Sequence, residues 1–262
     1  MPLNWGVSKS LTTSPPFDPL TGEYYVGLLA RNNQYNRFTR VIDLTGAPPA
    51  ASASLSFATS YDIEGNYDFF VVEAHTVGAG DWTTLNDING NTPPVPLLAC
   101  SDGLWNVHPF IFDHYVAADC LSPGPTGAFH AFNGNSNGWV NASFDLSAFS
   151  GSQVEVSLTY ISDVGVTNTG AFVDDVQVEI DGVTSLQGWE LDQMPWTVAP
   201  PPTGSPASVI DWERSTGLID TVLAAAVATE DTVYLPFGLA AISTMQDRSD
   251  VMGRLLDYLL DD

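Results

Sequence analysis

Short segments in which apolar and polar residues alternate are the feature that most constrains the fold of this chain. Between Val154 and Tyr160 every second residue is apolar, and Glu155, Ser157 and Thr159 stand between them. A period of two is that of a β-strand with one buried face. The segments that we interpret as strands, separated by Gly, Pro, Asn and Asp turns, are Arg40–Leu44, Ala53–Thr59, Tyr67–His75, Trp139–Asp145, Val154–Ser162 and Ala171–Ile180. With no long helical period among them, they predict an all-β protein, an antiparallel jelly-roll-like β-sandwich.

Carboxylates at strand ends suggest a cation site. Asp163 stands just past one strand, and Asp174 and Asp175 interrupt the next apolar strand. Adjacent carboxylates in a half-buried strand repel each other and cost desolvation energy unless a cation or hydrogen-bond donors neutralise them. A structural calcium site is therefore the first hypothesis, with loop 164–170 as a source of carbonyl ligands. The alternative is that these aspartates only cap turns.

The charge balance limits the partners. The chain has 31 acidic and 7 basic residues, a net charge of −24 over 262 residues. Binding to nucleic acid needs clustered Lys and Arg, so we expect no nucleic-acid partner, and anionic membrane surfaces are disfavoured as well. Excess acidity fits a cation-binding or salt-exposed protein, or serves only solubility. The chain has no run of about 18 uncharged apolar residues, so we expect no membrane-spanning helix.

The two cysteines predict a disulfide and an oxidising location. Cys100 and Cys120 lie in a Pro- and Gly-rich insertion, 93–125. A bridge there would contribute about 3 kcal/mol by restricting the unfolded chain. Two free buried thiols remain an alternative, whereas zinc binding lacks the paired CxxC spacing. The first residues show no signal-peptide pattern, so we expect the chain to come from a longer precursor.

Composition changes along the chain predict four parts. The part after the sandwich is rich in Pro and holds Trp189 and Trp196, which is typical of a strap packed across a domain. The last part combines one strand with an amphipathic helix that begins near Ser249, and we expect it to pack on the sandwich or on a partner. The predicted parts are the N-terminal extension 1–23, the sandwich 24–182, the strap 183–228 and the strand-helix tail 229–262.

No catalytic constellation is visible. A zinc peptidase needs HExxH or an equivalent set, and none of the four histidines has a Glu at ligand spacing. Residues 134–138 fit GxSxG around Ser136, but they precede a strand in an all-β region with no helix after it. Turn chemistry explains Ser136 better. We therefore expect this chain not to be an enzyme.

An ordered series of motifs resembles a known module. It consists of Tyr61-Asp-Ile-Glu64, Tyr67-Asp-Phe-Phe-Val-Val-Glu73, Asp81-Trp-Thr-Thr-Leu85, Gly134-Asn-Ser-Asn-Gly-Trp139, Phe144-Asp-Leu-Ser147, Tyr160-Ile-Ser-Asp163 and Gly170-Ala-Phe-Val-Asp-Asp175. The series resembles the non-catalytic jelly-roll domain that follows the catalytic domain in secreted bacterial metallopeptidases of the immune inhibitor A and zinc carboxypeptidase types. The tail is similar to the carboxypeptidase version, with Gly188-Trp-Glu190 and Asp211-Trp-Glu-Arg214.

The resemblance implies a site and a role. It implies that calcium is bound by Glu64, Asp163, Asp174 and Asp175. It also implies a secreted or cell-surface, calcium-stabilised accessory module that braces or positions an adjacent catalytic domain, another subunit or substrate. One departure is that the family's Phe-Gly-x-Glu ends here in Ala240, which puts the polar role of that glutamate in doubt.

Carbohydrate binding is the competing hypothesis. Jelly-roll sandwiches can stack sugars on exposed rings, and Trp82, Trp105 and Trp139 are candidates. A structural role in an extracellular assembly is a third alternative. An open aromatic groove would favour glycan binding, and an exposed apolar patch near the tail helix would favour assembly.

Overall fold

The computed structural model describes residues 18–46, 52–94, 107–216, 227–228, 233–234, 249 and 252–253. Contacts divide the chain into two compact units, 12–219 and 1–11 with 220–262. The first unit contains eleven of the described strands: β1 Tyr25–Leu29, β2 Tyr35–Asp43, β3 Ala53–Asp62, β4 Phe69–Thr76, β5 Thr83–Thr84, β6 Val140–Asp145, β7 Gln153–Ile161, β8 Gly170–Ile180, β9 Val183–Gln187, β10 Thr197–Ala199 and β11 Glu213–Ser215. It also contains the five-residue helix α1, Phe110–His114.

These strands form two antiparallel sheets. The first has the order β11-β1-β8-β3-β6, with β9 also paired to β8, and the second has the order β10-β2-β7-β4-β5. The predicted β-sandwich is confirmed, and all six predicted strands are present with ends shifted by a few residues. β1 was not predicted because all five of its residues are buried, so it shows no alternation.

Aromatic side chains fill the space between the sheets. Phe38 on β2 lies against Trp189, Trp196 and Trp212, with ring centroids at 5.9, 5.5 and 6.3 Å. Trp189 and Trp196 are fully buried, and burying a large apolar side chain contributes about 1.5–3 kcal/mol. The Pro-rich segment therefore packs on the sandwich, as its tryptophans suggest, and it adds the edge strands β9, β10 and β11.

A two-residue turn joins β8 to β9. Asp181 and Gly182 both have positive φ, 50° and 78°, and Ile180 pairs directly with Val183. Such turns match the twist of the flanking strands and favour Asp-Gly. Asp181 and Gly182 thus close a tight hairpin between β8 and β9.

The start of β4, in the second sheet, is buried on both faces. Phe70 and Val72 of β4 join the core between the sheets, while Phe69 and Val71 pack under Ile111 of α1 in a separate cluster. The described part of the insertion, 107–125, thus covers the part of the outer face around Phe69 and Val71. Cys100 lies outside the described residues, so the disulfide with Cys120 stays a prediction.

The second unit is described only in part. There β12 Val227–Ala228 pairs antiparallel with β13 Val233–Tyr234. Most of the predicted tail strand and helix lie outside the described residues, and the four domain boundaries stay predictions. In the described ranges, no helix has the length and apolar character needed to cross a membrane.

Candidate metal centre

Three carboxylates converge at one end of the sandwich. Glu64, Asp68 and Asp163 each offer an oxygen within 4.8 Å of the others. Glu64 and Asp68 belong to the turn between β3 and β4, and Asp163 lies two residues after the end of β7. Because β4 and β7 are neighbours in register, with Phe69 opposite Ile161, the start of one strand meets the end of the other.

The turn before β4 brings its two acids to one side. The carbonyl of Glu64 accepts hydrogen bonds from the N–H groups of Tyr67 at 3.4 Å and Asp68 at 3.1 Å. Asn66 has φ of 70°, a left-handed conformation that Asn tolerates well. The side chain of Asn133 accepts the Asn66 N–H at 2.8 Å and fixes this turn to the neighbouring loop.

Asp68 is the buried member of the three. Its carboxylate accepts hydrogen bonds from the Tyr160 hydroxyl at 2.6 Å and from the Asp163 N–H at 3.2 Å. Burial raises the pKa of Asp68 to about 7, the two hydrogen bonds oppose that rise, and the charges of Asp163 and Glu64 add to it. The ionised form is therefore held in an unfavourable environment that a bound cation would relieve.

Asp163 and Glu64 complete the cluster. Oδ1 of Asp163 accepts the Gly165 N–H at 2.7 Å, and its carbonyl accepts the Asn33 N–H at 2.7 Å. Asp163 is buried while Glu64 is half-buried, so the cluster opens toward solvent beside Glu64. Burial, and then the charge of Asp163, raise the pKa of Glu64.

The cluster fits a hard cation. Within the described residues, the ion pairs are Arg37–Glu73 and His75–Glu155, so none of the three acids is paired with a base. All three donors are oxygens, the ligands that Ca²⁺ prefers, and carbonyls and water usually complete its shell of about six to eight. Calcium binding itself stays a prediction.

Asp174 and Asp175 lie at a different place from this cluster. On β8, Asp174 is opposite Ala58 and Gln177 is opposite Ser56, so one extra residue forms a β-bulge. Asp175 has φ of 50° at this bulge. The four ligands implied by the resemblance are thus not brought together as one group, and Asp68 is the cluster member that was not predicted. Its sequence signal is an Asp directly before a buried strand.

Hydrogen-bond donors neutralise the Asp174-Asp175 pair. Oδ2 of Asp174 accepts the N–H groups of Leu20 at 2.9 Å and Thr21 at 3.1 Å, and Oδ1 of Asp175 accepts the Thr21 hydroxyl at 2.7 Å. Burial raises the pKa of Asp174 to about 6, against the effect of these donors. The pair therefore anchors the segment ahead of β1 to β8.

The candidate sugar-stacking rings are engaged in packing where they are described. The His75 ring stacks on Trp82 at 3.8 Å, and the Arg37 guanidinium lies 4.2 Å from the same ring. Trp139 meets Tyr25 edge-on at 6.5 Å. Trp105 lies outside the described residues, and glycan stacking on any of these rings stays a prediction.

Ser136 of the GxSxG pattern and the buried His108 are both engaged in hydrogen bonds within the fold. The hydroxyl of Ser136 accepts the Tyr61 N–H at 2.9 Å and donates to the Gly138 carbonyl at 2.7 Å, as expected for a turn residue. His108 contacts the Ser162 carbonyl at 2.9 Å and the Ser205 hydroxyl at 2.9 Å. Burial lowers the pKa of His108 to about 4, so its ring is neutral at pH 7.

The described strands form a β-sandwich with a cluster of three carboxylates at one end. Residues 118–189, which run from the insertion through β6, β7, β8 and β9, match the family model for the immune inhibitor A-like MAM domain. The resemblance to an accessory module of metallopeptidases is thereby confirmed.

Two relatives agree with this match. The chain is 28% identical over 170 residues to pre-pro-metalloprotease PrtV of Vibrio cholerae, and the aligned region covers 64% of this chain and 14% of that protein. It is 26% identical over 160 residues to immune inhibitor A of Bacillus thuringiensis subsp. alesti, and the aligned region covers 61% of this chain and 18% of that protein. The matched region thus spans less than a fifth of the length of either relative.

Proposed function

We propose that this chain is a non-catalytic, calcium-stabilised accessory module of a secreted metallopeptidase-type protein, which braces or positions a catalytic domain or its substrate. The observation that carries the proposal is the cluster of Glu64, Asp68 and Asp163, in which three carboxylates converge without a basic partner among the described residues. The match to the immune inhibitor A-like MAM domain supports the accessory role.

Calcium would supply positive charge where the chain itself supplies none. The three acids come from the turn after β3, the residue before β4 and the loop after β7. Their shared ligand would therefore hold together segments that are distant in sequence. A ligand that binds only the folded state stabilises it by about 2.7 kcal/mol at a concentration 100 times its Kd.

The absence of a catalytic set in the sequence supports a non-catalytic role. The chain has no HExxH motif. Within the described residues, His108 is buried against Ser162 and Ser205, and His75 stacks on Trp82 while facing Glu155 at 3.6 Å. These histidines act in packing, which leaves peptide hydrolysis to another part of a longer protein.

Thermal unfolding tests the calcium part of the proposal. Metal-free protein should gain thermal stability on addition of millimolar Ca²⁺, and Glu64→Gln and Asp163→Asn should abolish that gain. Glu179→Gln, an exposed carboxylate on β8, is the matched control and should keep the full gain. An equal rise in Tm for all four proteins would contradict calcium binding at this cluster.

Domain deletion tests the bracing role. In a protein that carries both parts, removal of residues 12–219 should leave zinc-dependent peptide hydrolysis measurable while shortening the half-life of activity at elevated temperature. Removing Ca²⁺ from the intact protein with EGTA, while the free Zn²⁺ concentration is held constant by a zinc buffer, should have the same effect. An unchanged half-life after deletion would contradict bracing, and residual proteolysis by the isolated chain would contradict its non-catalytic role.

A further inference from the structure

A polar groove on the outer face of the first sheet is separate from the carboxylate cluster. It encloses about 290 Å³ between the turn 87–92, the strands β6, β3 and β8, and the segment ahead of β1. Its polar lining consists of Ser56, Asn89, Asn141, Ser143, Asp175 and Gln177. We propose that this groove binds a neutral oligosaccharide.

The lining chemistry matches sugar hydroxyls. Three carboxamides, two hydroxyls and one carboxylate supply both donors and acceptors, and each sugar hydroxyl can both donate and accept. No Lys, Arg or His is among the described lining residues, so the groove offers no charge to a phosphate, sulfate or uronic acid. The net charge of −24 also opposes anionic ligands.

The wall formed by the turn 87–92 is rigid. Asp87 is buried, and its carboxylate accepts the N–H groups of Asn91 at 3.0 Å and Ser143 at 2.7 Å. The side chains of Asn89 and Asn91 both donate to the Asn141 carbonyl, at 3.1 and 3.0 Å. The turn is thus fixed to β6, which limits the entropy lost when a ligand binds.

The opposite wall is fixed by the β-bulge. Asp175 lies in the bulge, between Asp174 and the exposed Gln177 in the chain. The segment ahead of β1 holds the carboxylate of Asp174. The Thr21 hydroxyl occupies one oxygen of Asp175. The hydrogen bonds of the described residues leave the other oxygen of Asp175 unused, and Asp175 lines the groove. β-Bulges commonly re-aim side chains at binding sites.

The size of the groove sets the kind of ligand. A volume of about 290 Å³ is near the lower end for ligand pockets, about 300 Å³, so it suits one or two sugar units at the end of a chain. Leu20 borders the groove and is 43% exposed, which provides an apolar edge for the C–H face of a sugar. We expect dissociation constants on the order of 1 mM for short oligosaccharides.

The test is a binding measurement by NMR on the whole chain. The probes are four neutral trisaccharides (maltotriose, cellotriose, chitotriose and mannotriose) and one anionic probe, trigalacturonate. At least one neutral probe should shift the side-chain amide signals of Asn89, Asn141 or Gln177, and trigalacturonate should not. Gln177→Ala and Asn141→Ala should each weaken that binding by about tenfold, since each removes a hydrogen-bonding amide.

Control variants show whether the sugar binds in the groove or elsewhere on the protein. Gln153→Ala, an exposed amide on β7 of the opposite sheet, should leave binding unchanged. Both groove amides are exposed, so their variants should retain the wild-type Tm. No shift with any neutral probe up to about 20 mM, or binding that survives both groove variants, would overturn the proposal. The outcome is independent of calcium, because the groove shares no residue with Glu64, Asp68 and Asp163.

Discussion

The backbone N–H of Asp163 donates to Oδ1 of Asp68 at 3.2 Å, and this bond joins the loop after β7 to the residue before β4. The two strands pair directly, with Phe69 opposite Ile161, so two of the three clustered acids are placed by the centre of the second sheet. Glu64 lies further from the sheet, four residues earlier in the turn that ends at Asp68. A cation site with such support is expected to be largely preformed.

The buried ion pair between Arg37 and Glu73, beneath the insertion, allows a first test of the fold. Glu73 accepts hydrogen bonds from Arg37 at 2.7 Å, from Tyr115 at 2.8 Å and from Thr159 at 2.8 Å, and Tyr35 also donates to it. Burial opposes the ionisation of Glu73, but Arg37 and the hydroxyls of Tyr35 and Tyr115 lower its pKa overall. Glu73→Ala would leave Arg37 charged, buried and unpaired.

We expect Glu73→Ala to lower the free energy of unfolding by about 3–5 kcal/mol, as measured by urea denaturation. Glu155→Ala is the matched control, because Glu155 lies on the adjacent strand β7 but is partly exposed beside His75. Its cost should stay within about 1 kcal/mol. Equal costs for the two variants would show that the buried pair contributes no more to stability than the partly exposed one.

A glycine at the start of β8 provides a second test. Gly170 has φ of 127°, and a Cβ there would lie 2.0 Å from the Leu28 carbonyl oxygen. Gly134 has φ of 75° with no atom within 4 Å of its Cβ position. Both substitutions by Ala strain the backbone, but only the first meets a neighbouring strand.

Gly170→Ala should therefore cost about 3 kcal/mol or more in unfolding free energy, from strain and overpacking together. Gly134→Ala should cost only about 1–2 kcal/mol. The comparison is made by thermal unfolding of the two variants under identical conditions. Similar Tm values for both would contradict the close approach of β1 and β8 at this position.

The buried histidine predicts a pH dependence. The pKa of His108 is lowered by burial from 6.5 to about 4 in the folded protein. Between these values the unfolded chain binds more protons than the folded protein, so the contribution of His108 to stability falls as the pH falls from 6.5 to 4. Asp174, whose pKa is raised to about 6 by burial, acts in the opposite direction over part of this range.

The contribution of His108 is measured as a difference in unfolding free energy between wild type and His108→Gln. In metal-free buffer, the unfolding free energy of wild type minus that of His108→Gln should increase as the pH rises from 4 to 6.5, and it should level off above that. The shared contribution of Asp174 cancels in this difference. A difference that is flat with pH would mean that His108 is not buried in its neutral form.

The sequence pattern predicted six strands, among which β6 and β7 alternate between apolar and polar residues. It missed β1, which is buried throughout and has no period. It also could not predict that β9, β10 and β11 of the Pro-rich segment extend the sheets, since three to five residues give too weak a signal and their pairing is tertiary. The turn at Asp181-Gly182 was predictable because its chemistry is local.

The candidate site was predictable only in part. Glu64 and Asp163 were identified and do lie together, but Asp68 joins them through a turn whose geometry depends on Asn66 and on contact with Asn133. In the sequence, the adjacent carboxylates of Asp174 and Asp175 indicate a cation site as strongly as Glu64 and Asp163 do. The neutralisation of Asp174 by the N–H groups of Leu20 and Thr21 depends on how the chain folds back, which no local pattern shows.

Isothermal titration of metal-free protein with Ca²⁺, comparing wild type, Asp68→Asn and Asp174→Asn, is the decisive measurement for the metal centre. We predict one site with a Kd between about 10⁻⁶ and 10⁻³ M in wild type. Asp174→Asn should retain it, because the Asp174 carboxylate is used by Leu20 and Thr21, whereas Asp68→Asn should weaken it at least tenfold. Loss of binding in Asp174→Asn with full binding in Asp68→Asn would contradict the assignment of the site to Glu64, Asp68 and Asp163.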